Sequence, residues 1–191
     1  AVRKCNVAAY NCSYIAPTKV EDFAEIMYIS MCGTGAGWAA ESWNIQQLPL
    51  VKRQSGEKLP TLSIPDSKEG WCDALTRGMK AWYDGRDIEF DYSLIRPSGA
   101  RLKTMGGKAS GPEPLRRLLN STRDIIFSRQ GRRITNLDAH DIICMIGDCV
   151  VAGGVRRSAM ISLSDLDDEG IRDAKKGQFY TTHPHRSLAN N

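Results

Sequence analysis

Runs of two-residue apolar period alternate with runs of helical period along most of this chain, and that alternation restricts it to an α/β architecture. Val7–Ile15 reads as a strand, with Tyr10, Cys12 and Tyr14 on one face and Asn11 and Ser13 on the other. The capping-box pattern Thr18-x-x-Glu21 then precedes Val20, Phe23, Ala24, Met27 and Met31 at helical spacing. Gly33-Thr34-Gly35-Ala36-Gly37 stops that helix, and Trp38–Glu41 is expected to form a short strand. Close packing and close approach of a ligand each explain the alternate glycines. Residues 44–65 are polar and proline-bearing, so a loop is expected. A helix starting at Asp66 or Ser67 follows, with Trp71, Ala74, Leu75, Gly78, Met79 and Trp82 along one stripe and its tryptophans in the core. Beyond Gly85, Ile88, Phe90, Tyr92 and Leu94 alternate as the next strand.

That strand runs directly into Arg96–Pro112, which holds four glycines, two prolines and four cations. Glycine lets backbone N–H groups approach a ligand, and successive N–H groups leading into a helix N-terminus form an anion site. Leu115, Leu118, Leu119, Ile125 and Ile126 mark the helix, introduced by Ser110-x-x-Glu113. Arg116, Arg117 and Arg123 lie off its apolar stripe, where a solvated face is expected, and Gly131 closes it. A second helix, from about Leu137 to Val151, is apolar enough for burial on several sides or for a subunit contact. Gly153-Gly154-Val155-Arg156-Arg157-Ser158 then repeats the glycine and arginine chemistry. It leads into Ala159–Leu163, a continuous apolar run expected as a buried strand. A short polar helix is expected over residues 164–176, and Phe179–Asn191 has no period. Two basic loops bracketing a helical unit could grip one nucleotide triphosphate, because the arginine fork matches phosphate oxygens. Two unrelated turns are the alternative.

The formal charge of +4 is too diffuse to imply nucleic-acid binding, and no apolar run is long enough to suggest a membrane span. The N-terminus has no signal-peptide core. Six cysteines show no C-x-x-C spacing, so neither a zinc site nor a disulfide framework is expected, and a cytoplasmic protein with reduced thiols is. By strand periodicity alone, Cys12 fits a buried, inert cysteine. Cys144 and Cys149 look structural, and His140, His183 and His185 lack metal-ligand spacing with carboxylates. No nucleophile elbow and no P-loop pattern is present.

Eight segments then occur in a recognisable order. They are Asn11-Cys-Ser-Tyr14, Cys32-Gly-Thr-Gly-Ala-Gly37, Pro65-Asp-Ser-Lys-Glu-Gly-Trp71 and Ser93-Leu-Ile-Arg-Pro-Ser-Gly-Ala-Arg101, followed by Gly106-Gly-Lys-Ala-Ser-Gly-Pro112, Asp138-Ala-His-Asp-Ile142, Val151-Ala-Gly-Gly-Val-Arg-Arg-Ser158 and Ser187-Leu-Ala-Asn-Asn191. Together they closely resemble the adenosylcobalamin-dependent (class II) ribonucleotide reductases, over nearly the whole chain. The resemblance implies an α/β fold: the N-terminal half of a ten-stranded barrel, with residues 1–191 as one partial domain. In that family cobalamin homolysis generates a cysteine thiyl radical, and two further cysteines reduce the ribonucleotide and end as a disulfide. By resemblance, Cys12 is the first of those two. The same resemblance implies that Asn11, Ser13, Thr34, Gly35 and Gly37 flank the substrate.

Arg96, Arg101, Lys103, Gly106, Gly107, Lys108 and Ser110 fall in the loop that resembles the family's deoxynucleotide effector site. Gly153, Gly154, Val155, Arg156 and Arg157 correspond to the second specificity loop. The family's radical-bearing Asn-Pro-Cys-Gly-Glu segment, its second reducing cysteine and its C-terminal cysteine pair do not occur in these residues. The expectation is therefore a split subunit or fragment, inactive alone. It would join a chain carrying the rest of the barrel, with adenosylcobalamin on the complete enzyme, a thioredoxin-like reductant and a possible dimer. The alternative is a non-catalytic regulatory module that kept only deoxynucleotide binding.

Overall fold

Parallel strands need long crossovers, and the amphipathic helices of this chain supply them. The computed structural model describes residues 6–101, 107–152 and 160–191. The element order is β1 (Cys12–Ile15), α1 (Val20–Met31), β2 (Gly35–Ala39), α2 (Ser42–Ile45), β3 (Lys58–Ser63), α3 (Lys68–Tyr83), β4 (Asp87–Asp91), α4 (Glu113–Ser128), α5 (Asn136–Ala152), β5 (Met160–Leu163), α6 (Glu169–Asp173), α7 (Phe179–Thr182) and β6 (Ala189–Asn190). Strands β1, β2, β5 and β6 lie side by side in that order, all parallel. β3 and β4 form a second, two-stranded parallel sheet. The described residues thus contain partial sheets and no closed barrel.

Local chemistry explains where the helices begin. Asp22, not Glu21, closes the first box by accepting from the backbone N–H groups of Thr18 and Lys19 at 2.8 and 3.1 Å. Glu21 instead meets Lys80 of α3. The helix expected from Asp66 or Ser67 starts with Ser67 as its cap, the Ser67 Oγ accepting from the Gly70 N–H at 2.9 Å. Ser110 does not cap α4, because its hydroxyl donates to the Gly111 carbonyl and Pro112 holds the cap position. Thr135 and Asp138 cap α5 reciprocally at 2.8 and 3.1 Å, and Arg129 clamps the same carboxylate at 2.6 and 2.9 Å.

Other elements depart from their sequence patterns for identifiable reasons. Residues 6–9 form a 3₁₀ turn, so the first strand is shorter than Val7–Ile15. β2 starts inside the glycine run, since both of its edges are paired and backbone hydrogen bonding overrides low strand propensity. The expected loop over 44–65 contains β3. Leu59 and Leu62 are three apart and out of phase with strand alternation, but a register shift between them lets both pack against the core. β5 is buried on one face only, with Ile161 and Leu163 exposed, because helices cover a single side of the four-stranded sheet. The tail, which lacks a period, supplies α7, a 3₁₀ turn and β6.

The core is one cluster in which α1, α3, α4 and α5 meet, with Phe23, Trp38, Leu75, Trp82, Leu118 and Ile142 among its members. Of the arginines expected on a solvated face, Arg123 forks onto Asp87 at 2.9 and 2.6 Å, and Arg116 lies 4.2 Å over the Tyr92 ring. No helix among the described residues is long and apolar enough to cross a membrane.

Candidate active site

Register places the candidate residues. Cys12 pairs beside Gly35, Tyr14 beside Gly37, Gly37 beside Ile161, and Ile161 beside Asn190. Paired residues of parallel strands share a face, so Cys12, Tyr14, Gly35, Gly37, Ile161 and Leu163 point to one side of the sheet. Ser13, Ile15, Ala36, Trp38 and Met160 point to the other. Trp38 and Met160 are 0% and 3% exposed, whereas Tyr14 and Ile161 are 53% and 52% exposed. One face is therefore packed under helices, and the face carrying Cys12 is open.

Cys12 itself is exposed, and the Asn11 amide nitrogen lies 3.5 Å from its sulfur. The other described thiols differ in kind. Cys32, Cys144 and Cys149 are buried, and Cys72 is half-buried. Burial, assisted by neighbouring acidic groups, pushes the Cys72 and Cys144 thiols up to about 12 and raises Cys149 as well. Such thiols stay protonated and inert. Among the described cysteines, only Cys12 is an exposed residue.

The residues around Cys12 divide by role. Thr34 is 3% exposed, and its hydroxyl lies 2.9 Å from the Val7 carbonyl and 3.0 Å from that of Tyr10. Ser13 faces away from Cys12 and donates to the Gly35 carbonyl at 3.0 Å. The Gly35 N–H donates to the Asn11 carbonyl at 2.9 Å. Gly37 is needed because a Cβ there would stand 3.1 Å from Ile161 Cγ2 and 3.4 Å from Tyr14 Cδ2. Of the expected substrate-flanking groups, Asn11, Gly35 and Gly37 accompany Cys12, whereas the Ser13 and Thr34 side chains are committed inside the protein.

The second candidate region is the loop before α4. Arg101 and Lys108 form an isolated antiparallel bridge and are exposed, with Gly99 N–H to Ala109 O at 2.9 Å closing the turn. Gly107 has a φ of 88°, which requires glycine or costs strain. Arg96 is tied to Asp66 at 2.5 Å, and Ser110 to Gly111. Lys103, Gly106 and all of Gly153–Arg157 lie outside the described residues.

One cluster had no signal in the residue spacing. Asp141 on α5 receives a two-pronged contact from Arg186 at 2.7 Å on each oxygen, with His140 Nδ1 at 3.6 Å and His185 Nε2 at 3.3 Å. Arg186 also donates to the Ala174 carbonyl at 2.9 Å. The pair anchors the turn that delivers β6 to the edge of β5.

Comparisons with known proteins bear on this geometry. A family model described as "B12-dependent ribonucleotide reductase, insertion domain" matches residues 39–126. The adenosylcobalamin-dependent ribonucleoside-triphosphate reductase of Euglena gracilis is 37% identical over 185 residues, covering 94% of this chain and 25% of that protein. The protein of the same name from Lactobacillus helveticus is 30% identical over 230 aligned positions, more than the 191 residues here, covering 96% of this chain and 31% of its own length. A crystal structure of a B12-dependent (class II) ribonucleotide reductase superposes with a TM-score of 0.78 at 26% identity, over 94% of this chain and 32% of that one. The chain thus spans about a quarter to a third of these three relatives. Agreement of sequence, family model and fold leads to one conclusion: the chain belongs to the adenosylcobalamin-dependent (class II) ribonucleotide reductases.

Proposed function

We propose that this chain contributes one reducing thiol and a nucleotide effector loop to a class II ribonucleotide reductase, forming part of its barrel domain. The observation that carries the reading is the exposed Cys12 sulfur on the open face of the parallel sheet, beside Gly35. In the reduction a dithiol supplies two electrons and two protons. The 2′-hydroxyl leaves as water, a C–H bond forms at C2′, and the thiols close to a disulfide. Cys12 is one of those thiols; the second, and the radical-bearing cysteine, belong to the remainder of the reductase. A thioredoxin-like dithiol would reopen the disulfide. The open face, with Tyr14, Ile161 and Leu163 exposed, is the side on which the remaining strands close the barrel and the ribonucleotide is held. A cytoplasmic setting accords with reduced thiols.

Adenosylcobalamin, when bound, supplies the radical initiator. The described residues do not fit a role in ligating its cobalt. His140 and His185 lean on Asp141, His183 contacts the Thr182 hydroxyl at 2.9 Å, and none lies on the strands that carry Cys12. What this chain's residues do is hold a thiol at a strand end and keep neighbouring backbone groups ordered.

Two experiments test the reading. Cys12→Ser in the complete reductase should lower turnover at least about a thousandfold, as expected when a covalent participant is removed. Unchanged turnover with deoxynucleotide binding retained would favour the regulatory-module alternative. Arg101→Ala should weaken the response to deoxynucleotide effectors while basal turnover stays within about threefold, since the loop contacts effector and not the reacting atoms. Collapse of basal turnover with the effector response intact would contradict the loop's assignment.

A further inference from the structure

The role proposed for Cys12 requires its sulfur to be held still, yet Cys12 sits at the very start of a four-residue edge strand, where fraying is easiest. The preceding 3₁₀ turn, residues 6–9, buries none of its residues. Packing alone therefore does not fix the approach to Cys12, where Val7 and Ala8 are only half-buried. Hydrogen bonds do, and they converge on one side chain of β2's leading turn. Thr34 reaches out of the core to two carbonyls of the incoming segment, Val7 at 2.9 Å and Tyr10 at 3.0 Å. Its neighbour Gly35 adds the N–H to Asn11 O bond at 2.9 Å, and Ser13 returns a bond to Gly35 O at 3.0 Å.

We infer that Thr34 is a positioning residue for the Cys12 thiol: its buried hydroxyl fixes the backbone on the N-terminal side of the cysteine. The inference rests on the reading of Cys12 as a reducing thiol and adds a residue to that function. The physical case is local. The single Thr34 O–H proton, shared between the Val7 and Tyr10 carbonyls, restrains residues 7–10, and the Gly35 amide restrains residue 11. The chain therefore enters β1 with little freedom left at Cys12. A misplacement of about 1 Å at a reacting group can lower a rate about a hundredfold. Valine at this position keeps the volume and β-branching of threonine but leaves both carbonyls without the hydroxyl. Serine keeps the hydroxyl and loses only the methyl.

The test compares Thr34→Val, Thr34→Ser and Cys12→Ser in the complete reductase. Thr34→Val is expected to lower kcat at least about tenfold with KM for the ribonucleotide within about twofold, because substrate binding is untouched and only thiol placement changes. Thr34→Ser should keep kcat within about threefold of the parent. Amide hydrogen exchange at Gly35 should quicken in Thr34→Val and not in Thr34→Ser, which locates the change at the bond to Asn11. Loss of activity in Cys12→Ser with Thr34→Val at parental kcat would overturn the positioning role alone. Full activity in Cys12→Ser would overturn the reading of Cys12 and the inference with it. Equal losses in Thr34→Val and Thr34→Ser, with Gly35 exchange unchanged, would also overturn it, since that pattern marks the methyl and not the hydroxyl.

Discussion

Asp141→Ala is expected to destabilise the fold by about 3–5 kcal/mol, the typical consequence of leaving one half of a buried ion pair without its counterpart. The guanidinium of Arg186 would remain in a residue only 8% exposed, with the Ala174 carbonyl as its remaining acceptor. Urea unfolding gives the measurement; a loss under about 1 kcal/mol would mean the pair is solvated and the clamp unimportant. Replacing both partners by apolar residues, Asp141→Leu with Arg186→Met, should recover much of the loss, because no charge is then stranded. Acid titration provides a second readout. Burial by itself would raise the Asp141 carboxyl, but Arg186 and the flanking imidazoles outweigh it and hold the group well below the usual carboxylate range. A depressed carboxylate contributes stability that is fully present above its unfolded value of about 3.9 and is lost as pH falls below that value. The fall in stability on acidification through that range should therefore be shallower in Asp141→Ala than in the parent.

Trp38→Ala is the second large effect, about 3–5 kcal/mol, from a cavity at the junction of β2 with α5. Trp38 has no exposed surface and meets the His140 ring edge-on at 5.1 Å between centroids. Its indole N–H has no hydrogen-bond partner among the described residues. That asymmetry gives the control. Trp38→Phe keeps most of the apolar volume and removes an unsatisfied donor, so its loss should stay below about 1.5 kcal/mol. A Trp38→Phe loss equal to that of Trp38→Ala would show that the indole N–H has a role the packing does not reveal.

The legible parts of this fold were those governed by local periodicity. α1, α3, α4 and α5 follow the spacing of their apolar residues, and the start of α3 beside Asp66 and Ser67 was readable. β3 was hidden because Pro60 and the register shift put Leu59 and Leu62 out of phase with any regular strand. β6 was hidden because two residues carry no period, and its position depends on a pairing between Asp141 and a distant arginine. At the candidate site, the ordered motifs pointed to Cys12, Asn11 and the glycines. Strand alternation alone had suggested a buried, inert thiol, and it misled because the sheet is covered on one side only. The inward turn of Thr34 and Ser13 depends on backbone carbonyls supplied by other segments, so residue type could not reveal it.

Adjacency of β2 and β5 has a consequence for how this chain can change length. The two strands are hydrogen-bonded neighbours, and the Ala40 N–H still donates to the Leu163 carbonyl at 2.8 Å, although residues 40–159 separate them. Everything in that interval, including β3, α3 and β4, is one excursion between adjacent strands. The entropy of closing such an excursion grows only logarithmically, about 0.6 kcal/mol for each doubling of its length. Loops within it can therefore lengthen at little entropic cost to the β2–β5 pairing, whereas α3, α4 and α5 cannot be trimmed without opening the core they share with Trp38. Loop length in the excursion and the pairing of β2 with β5 are thus weakly linked in chain-entropy terms, while the helices of the excursion stay tied to the sheet by the shared core.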